Sequence, residues 1–331
     1  MDPISSVHKV DFVVTDPSTA SPVFEVELGP RERVERIGPY EVIGILGRGG
    51  MGIVYEVRCP DRAGHFALKT IEAQCLRADS ELAQQRFSRE IDVLQRVEHP
   101  SVIRMLDHGW AEHPLGYRLA YFLMEKLEGV SLKAKLQTEG PLSVADAAEI
   151  AVQLLQGLTY LEGLDLVHRD IKPANVFITD HRRVVLMDFG LARNVEDTRL
   201  TQVGRVIGTL AYMSPEALKA ADVDGRADVY AVGVLLFEML TGRPPYQGSN
   251  ANAYLSASKT GMSDEDRKLL PPVVIQLLDR MLRADLRGRP YASELTAEIE
   301  AVSQSESWSQ PHAGQSHAGQ SHAGQSHAGQ S

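Results

Sequence analysis

His168-Arg169-Asp170-Ile171-Lys172-Pro173-Ala174-Asn175 is the stretch on which the reading of this chain turns. It fits the pattern H-R-D-x-K-x-x-N over eight positions, and thirteen residues beyond Asn175 comes Asp188-Phe189-Gly190. Ser214-Pro215-Glu216 follows in the same direction. Outward from this stretch, the two sides of the chain differ in character. Residues 40–46, 53–57 and 65–69 are strand-like, and two further apolar strands lie around Met105 and at 121–124. Between them, residues 80–97 carry Phe87, Ile91 and Leu94 at helical spacing. After Gly129, residues 143–162, 227–241, 271–283 and 292–302 read as helices separated by Gly- and Pro-rich turns. A strand-rich part with one helix, followed by a helix-rich part, makes a two-lobed α+β protein.

Composition bounds the function. The 331 residues are enough for about two lobes or domains. Lys plus Arg is 34 against 44 for Asp plus Glu, so the chain carries a formal charge of −10, unlike a general nucleic-acid binder or a polybasic membrane protein. Two cysteines, Cys59 and Cys75, make no disulfide framework, four-cysteine zinc site or CxxC pair. The N-terminal residues lack a basic region followed by an apolar core, so no signal peptide is expected. The most apolar stretch, 229–240, is about ten residues too short for a bilayer and contains Glu238. These features point to a reducing cytoplasm with free thiols.

Gly47-Arg48-Gly49-Gly50-Met51-Gly52-Ile53-Val54 is a G-x-G-x-x-G-x-V run. The same glycine spacing marks dinucleotide-binding turns, but there a helix follows, whereas here the strand-like Val54-Tyr55-Glu56-Val57 follows. The glycines then sit at a hairpin tip, where the absence of Cβ atoms lets backbone lie close over phosphates. A plain Gly-rich turn is the bland alternative, and no G-x-x-x-x-G-K-[ST] run is present. Lys69, in Ala67-Leu68-Lys69, supplies a positive charge for phosphate oxygens, with Glu90 as the carboxylate to hold it. Taken singly, each reads as an exposed charge.

Together and in this order, the motifs resemble those of eukaryotic-type protein serine/threonine kinases, over about residues 37–302. Gly49-Gly50-Met51-Gly52 and Ile171-Lys172-Pro173-Ala174-Asn175 are most similar to bacterial members. The resemblance implies a kinase domain at 37–303, with an N-lobe at 37–124, a hinge at 125–128 and a C-lobe at 129–303. It implies Asp170 as catalytic base or orienting group, Lys172 near the γ-phosphate as in the serine/threonine branch, and Asn175 and Asp188 as ligands of Mg2+, with Mn2+ as a substitute. Lys69, fixed by Glu90, would hold the α- and β-phosphates of ATP under Gly47, Gly49 and Gly52. Leu46 and Val54 would cover the adenine, Ala67 would lie beside it and Phe177 below it. Met124 takes the gatekeeper position, and Glu125 and Leu127 offer hinge backbone. Each apolar member of this pocket is also ordinary core.

Supporting positions follow from the same resemblance. Asp228 would anchor the catalytic loop, and Arg289 would pair with Glu216. Leu94, Leu106, His168 and Phe189 fall where the family stacks its regulatory spine, so His168 is structural rather than an acid or base. Ser214 replaces an Ala, small for small. In the activation segment, 188–216, Gly190 completes the Asp-Phe-Gly run and Thr209 would contact the catalytic Asp and Lys. Thr201 is the first phosphosite candidate, because Arg169 and Arg193 could both meet its phosphate, and Thr198 is a close second.

The expected activity is transfer of the ATP γ-phosphate to Ser and Thr hydroxyls of protein substrates, with autophosphorylation in the activation segment. No nucleic-acid or membrane partner is expected, and the oligomeric state is open, with a transient dimer suiting autophosphorylation in trans. Many bacterial members carry a transmembrane helix after the kinase domain; its absence here again indicates the cytoplasm. A pseudokinase scaffold is the competing reading, but such proteins usually lose Lys69, Asp170 or Asp188, and this chain keeps all three. A small-molecule kinase of related fold generally lacks the Ser-Pro-Glu element.

Two segments flank the domain. Residues 1–36, rich in Ser, Thr, Pro and acidic residues, read as a mostly flexible extension with short strand candidates at 10–14 and 23–28. Residues 304–331 are of low complexity and end in four tandem His-Ala-Gly-Gln-Ser units. His312, His317, His322 and His327 invite a metal-binding reading. On a helix, however, a spacing of five turns each residue by about 140°, so they would share no face. A flexible, repeat-expanded tail is the preferred reading.

Overall fold

The computed structural model describes residues 35–49, 52–72, 91, 93–112, 118–189 and 210–303. Its first part is an antiparallel sheet of β1 (Arg36–Ile37), β2 (Tyr40–Gly49), β3 (Gly52–Cys59), β4 (Arg62–Glu72), β5 (Met105–Glu112) and β6 (Arg118–Glu125). The strand order is β1-β2-β3-β4-β6-β5. β6 is buried along both faces from Leu119 to Met124. Successive side chains point to opposite faces. Ala120 and Phe122 therefore pack with Ile71, Ile91 and Leu94, while Tyr121 and Leu123 pack with Tyr40, Tyr55, Val57 and Leu68. Between β2 and β3, Gly52 sits at φ 153°, and a Cβ there would run into the Thr70 backbone carbonyl of β4. This glycine is required by close strand approach inside the protein.

The second part is helical, with β7 (Gly129–Ser131), β8 (Val176–Thr179) and β9 (Val184–Leu186) forming a small sheet on it. Its helices are α1 (Leu132–Glu139), α2 (Val144–Glu162), α3 (Pro215–Leu218), α4 (Gly225–Thr241), α5 (Ala251–Thr260), α6 (Asp264–Lys268), α7 (Pro272–Met281) and α8 (Ala292–Ser303). α2 buries Ala147, Ala151, Leu154, Leu155, Leu158 and Leu161 at helical spacing, as a one-sided helix must. In α4 every residue from Ala227 to Phe237 is buried, so it is the central helix, apolar on all sides apart from Asp228 in its first turn. No helix among the described residues is long and apolar enough to cross a membrane.

Helix ends are tied down by side chains. Ser143 caps α2 by accepting from Asp146 N at 3.1 Å, and Asp224 caps α4 by accepting from Arg226 N at 3.0 Å. Glu162, at the end of α2, reaches the start of α8 and accepts from Ala292 N at 2.7 Å and Ser293 N at 3.2 Å. The helices expected at 143–162, 227–241, 271–283 and 292–302 are present, whereas α1, α3, α5 and α6 were not anticipated.

Arg289 ties three elements of this part together. Its side chain is completely buried, and it donates from Nη1 to Glu216 Oε1 at 2.6 Å and from Nη2 to Glu216 Oε2 at 3.2 Å. It also donates to the carbonyls of Arg283 and Arg226, and its guanidinium lies 5.0 Å from the Tyr230 ring centroid. A buried pair of this kind is weak evidence of net stabilisation, but breaking it leaves an uncompensated buried charge. Arg289→Met should therefore cost about 3–5 kcal/mol, read as a lowered urea midpoint. A loss below about 1 kcal/mol, the level of an exposed pair, would contradict the bridge.

Candidate active site

The loop at 168–175 is shaped from beneath by α4. Asp228, 3% exposed, accepts hydrogen bonds from the backbone N–H groups of His168 at 2.6 Å and Arg169 at 2.9 Å. Burial pushes the Asp228 carboxyl up from the ordinary carboxylate range, and its contacts with His168 and Arg169 pull it back. Arg169 is held at φ 66°, a left-handed conformation that a non-glycine residue adopts at a cost of about 1–3 kcal/mol. His168 is fully buried, with Nε2 2.8 Å from the Met187 carbonyl and its ring 4.9 Å from that of Phe189. It therefore faces the interior.

Past that bend, three side chains meet at one oxygen. Asp170 Oδ2 accepts from Lys172 Nζ at 2.7 Å and from Asn175 Nδ2 at 2.8 Å. A short 3-10 turn, Pro173–Asn175, brings Asn175 back, and its Nδ2 also donates to the Asp170 carbonyl at 2.8 Å. With its nitrogen engaged there, the amide keeps its oxygen to offer. The β8–β9 hairpin then delivers Asp188, since Met187 N donates to the Asn175 carbonyl at 2.8 Å. Asp188, itself at φ 51°, accepts an ion pair from Lys69 Nζ of β4 at 2.7 Å. That contact joins the sheet to the helical part. Glu90, the expected partner of Lys69, lies outside the described residues, as do Gly190, Arg193, Thr198, Thr201 and Thr209.

Beside these charged groups is an apolar wall built from both parts. Ala67, Ile103, Met124 and Val185 are buried together, and Val54, Leu127, Phe177 and Met187 pack against them. Leu46 is not in this cluster and is 45% exposed. At Gly47 a Cβ would meet no atom of the described residues within 4 Å, so their packing does not take up the space it leaves. Ile103, Val185 and Met187 were missed by sequence reasoning. Ile103 arrives through its N–H bond to the Leu186 carbonyl, a contact between distant segments that leaves no local signal.

One expectation is corrected. Leu106 does not stack with Leu94 and Phe189; it packs in the cluster of Tyr40, Tyr55 and Val57. Met105 takes its place beside Leu94 and Phe189. The pairing of β5 with β6 slips between Met105 and Asp107, and this bulge sends Leu106 to the opposite face. Ser214, expected as a neutral replacement, is buried and caps α3 through Ala217 N at 3.4 Å.

The donor set suits a hard cation held jointly with a substrate. Asp188 offers a carboxylate and Asn175 an amide oxygen, and among the described residues no group of three or more His, Cys, Asp or Glu could hold a metal ion by itself. Magnesium is commonly bound by one or two carboxylates together with substrate phosphates. A curled sheet, a helical part and this charged cleft between them define the kinase class of fold. A family model described as a protein kinase domain matches residues 40–298. Serine/threonine-protein kinase PknD of Mycobacterium tuberculosis is 32% identical over 272 residues, covering 82% of this chain and 40% of that protein. Serine/threonine-protein kinase PknB of Mycolicibacterium smegmatis is 39% identical over 278 residues, covering 82% and 44%. The crystal structure of the Mycobacterium tuberculosis PknI kinase domain superposes with a TM-score of 0.63 at 25% identity, covering 80% of this chain and 97% of that one. The chain belongs to the protein kinase family. It spans less than half the length of these two curated relatives.

Asp228→Ala should free the loop from below. The buried N–H of His168 and the partly buried N–H of Arg169 would lose their acceptor, at about 1–3 kcal/mol for the buried one. The amides of His168 and Arg169 should then exchange with solvent hydrogen much faster, while α2 keeps its protection. Unchanged protection at those two amides would show that Asp228 does not hold the loop.

Proposed function

We propose that this protein transfers the γ-phosphate of ATP to serine and threonine hydroxyls of protein substrates. The observation that carries this reading is the convergence of Lys172 and Asn175 on one carboxylate oxygen of Asp170, next to the Lys69–Asp188 pair. In this reading the adenine lies against Val54, Ala67, Met124, Leu127 and Phe177, with Leu46 over it and the backbone of Glu125 and Leu127 at its edge. Gly47, Gly49 and Gly52 let the backbone approach the phosphates, and Lys69 holds the α- and β-phosphates. Asn175 and Asp188 would hold Mg2+ or Mn2+, which when bound neutralises phosphate charge.

Asp170 orients the substrate hydroxyl and takes its proton as the hydroxyl oxygen forms its bond to the γ-phosphorus. The bond from that phosphorus to the bridging oxygen breaks, and ADP leaves with the electron pair. Lys172 neutralises charge growing on the transferred group. Such a reaction asks for positioning and electrostatic stabilisation more than covalent help. A pseudokinase reading has no residue in its favour, because Lys69, Asp170 and Asp188 are all present. Thr201, and after it Thr198, are the autophosphorylation sites in this reading, with Arg169 and Arg193 receiving the phosphate. The domain is read as 37–303, with 1–36 and 304–331 as appendages and the cytoplasm as its place.

Three variants test the assignment. Asp170→Asn should lower kcat by roughly 10²-fold or more and leave ATP affinity nearly unchanged, since its carboxylate does not touch the nucleotide. Lys69→Met and Asp188→Ala should also be inactive, and raised magnesium should rescue the latter only weakly. Transfer to a generic protein substrate, with ATP binding by calorimetry, gives both readouts. Near-wild-type turnover in Asp170→Asn would place the chemistry elsewhere.

A further inference from the structure

Glu125 and Lys126 are neighbours in sequence where the chain leaves β6 for the helical part, and their side chains go to opposite parts of the molecule. Lys126 Nζ lies 2.9 Å from Glu56 Oε1 of β3, and the same oxygen is 2.5 Å from His65 Nδ1 of β4. Glu125 Oε2 lies 2.9 Å from Arg183 Nη2, in the turn between β8 and β9. Both ends are firmly mounted. Arg183 N donates to Thr179 Oγ1 at 3.0 Å, its carbonyl accepts from Thr179 N at 2.9 Å, and the next residue, Val184, donates to Gln153 of α2 at 2.9 Å. Glu56 sits inside a strand paired on both sides. The contact from Lys126 holds the Glu56 carboxyl below the usual carboxylate range, with His65 helping. Neither pair is a loose surface contact: the four side chains are between 19% and 35% exposed.

We infer that Glu56 and Arg183 are positioning residues for nucleotide binding, acting through Lys126 and Glu125. One pair ties the connecting segment to the sheet and the other ties it to the helical part, so the segment's peptide groups keep one orientation. The apolar wall needs this, because Val54 and Ala67 come from the sheet and Phe177 and Val185 from the helical part. So does the Lys69–Asp188 contact, which spans the same cleft. A connecting segment fixed at only one side would let the two halves of the wall part. The inference rests on the reading that this cleft takes ATP.

The test uses the full chain with Glu56→Gln, Lys126→Met, their double variant, Arg183→Met and Arg183→Lys. Magnesium–ATP affinity is measured by calorimetry, and KM and kcat by transfer to a generic protein substrate. Each of Glu56→Gln, Lys126→Met and Arg183→Met should raise Kd and KM for ATP about two- to fivefold, the range of a partly screened ion pair, with kcat nearly unchanged. The double variant should be no weaker than either single one, because both remove one contact. Arg183→Lys should recover most of the loss. Unchanged Kd in the singles, multiplying effects in the double variant, or a fall in kcat at constant KM would overturn the inference. So would a wild-type chain that binds no ATP. A chain that binds ATP and transfers nothing would instead defeat the phosphotransfer reading, and the Kd series would still decide this one.

Discussion

The carboxylate of Asp228 is buried in the first turn of the central helix, and the partners it finds are the backbone N–H groups of His168 and Arg169. A buried acceptor that spends its hydrogen bonds on a neighbouring loop fixes that loop's path. Here it offsets the left-handed turn at Arg169. That turn buries His168 and leaves Asp170 to meet Lys172 and Asn175. α4 can do this because its other faces are apolar and tightly packed, so the anchor cannot move. Arg289 and Glu216 act similarly lower in the same part, where a paired buried charge joins α3 to the turn before α8.

The cleft joins two structures that differ in kind. A sheet supplies Lys69, Val54 and Ala67 from adjacent strands, so their spacing follows from register: Val54 stands opposite Lys69. The helical part supplies Asp188 through a hairpin whose first strand begins right after Asn175. Lys69 and Asp188 carry opposite charge and meet across the cleft at 2.7 Å, which makes the relative placement of the two parts an electrostatic matter as well as a packing one.

Much of this was legible in the sequence because the chemistry demands groups that are close along the chain. Asp170, Lys172 and Asn175 fall within six positions, and the loop that unites them is local. The two-lobed α+β architecture was legible for a related reason, since period-two and period-3.6 patterns occupy different halves. Met105 was not legible, because a bulge reverses the faces of β5 and no residue in it announces a bulge. Ile103, Val185 and Met187 were not, because they join the apolar wall through contacts between distant segments. The missed helices α1, α5 and α6 are another matter. They are short, but Ser131, Asn250 and Ser263 cap them, and those residues were visible start signals. Gly52 was read for what lies above it, while Thr70 beneath it is an equal reason for its presence.

The central claim is that this cleft moves a phosphate from ATP to a hydroxyl. Its most direct measurement is mass spectrometry of the wild-type chain after incubation with ATP and magnesium, with ADP quantified alongside. The account predicts phosphate on serine or threonine residues, stable to acid as a phosphoester is, with one ADP formed for each phosphate transferred. ADP formation with no phosphoester on the chain or on an added protein substrate, or phosphate recovered only as an acid-labile adduct, would contradict it.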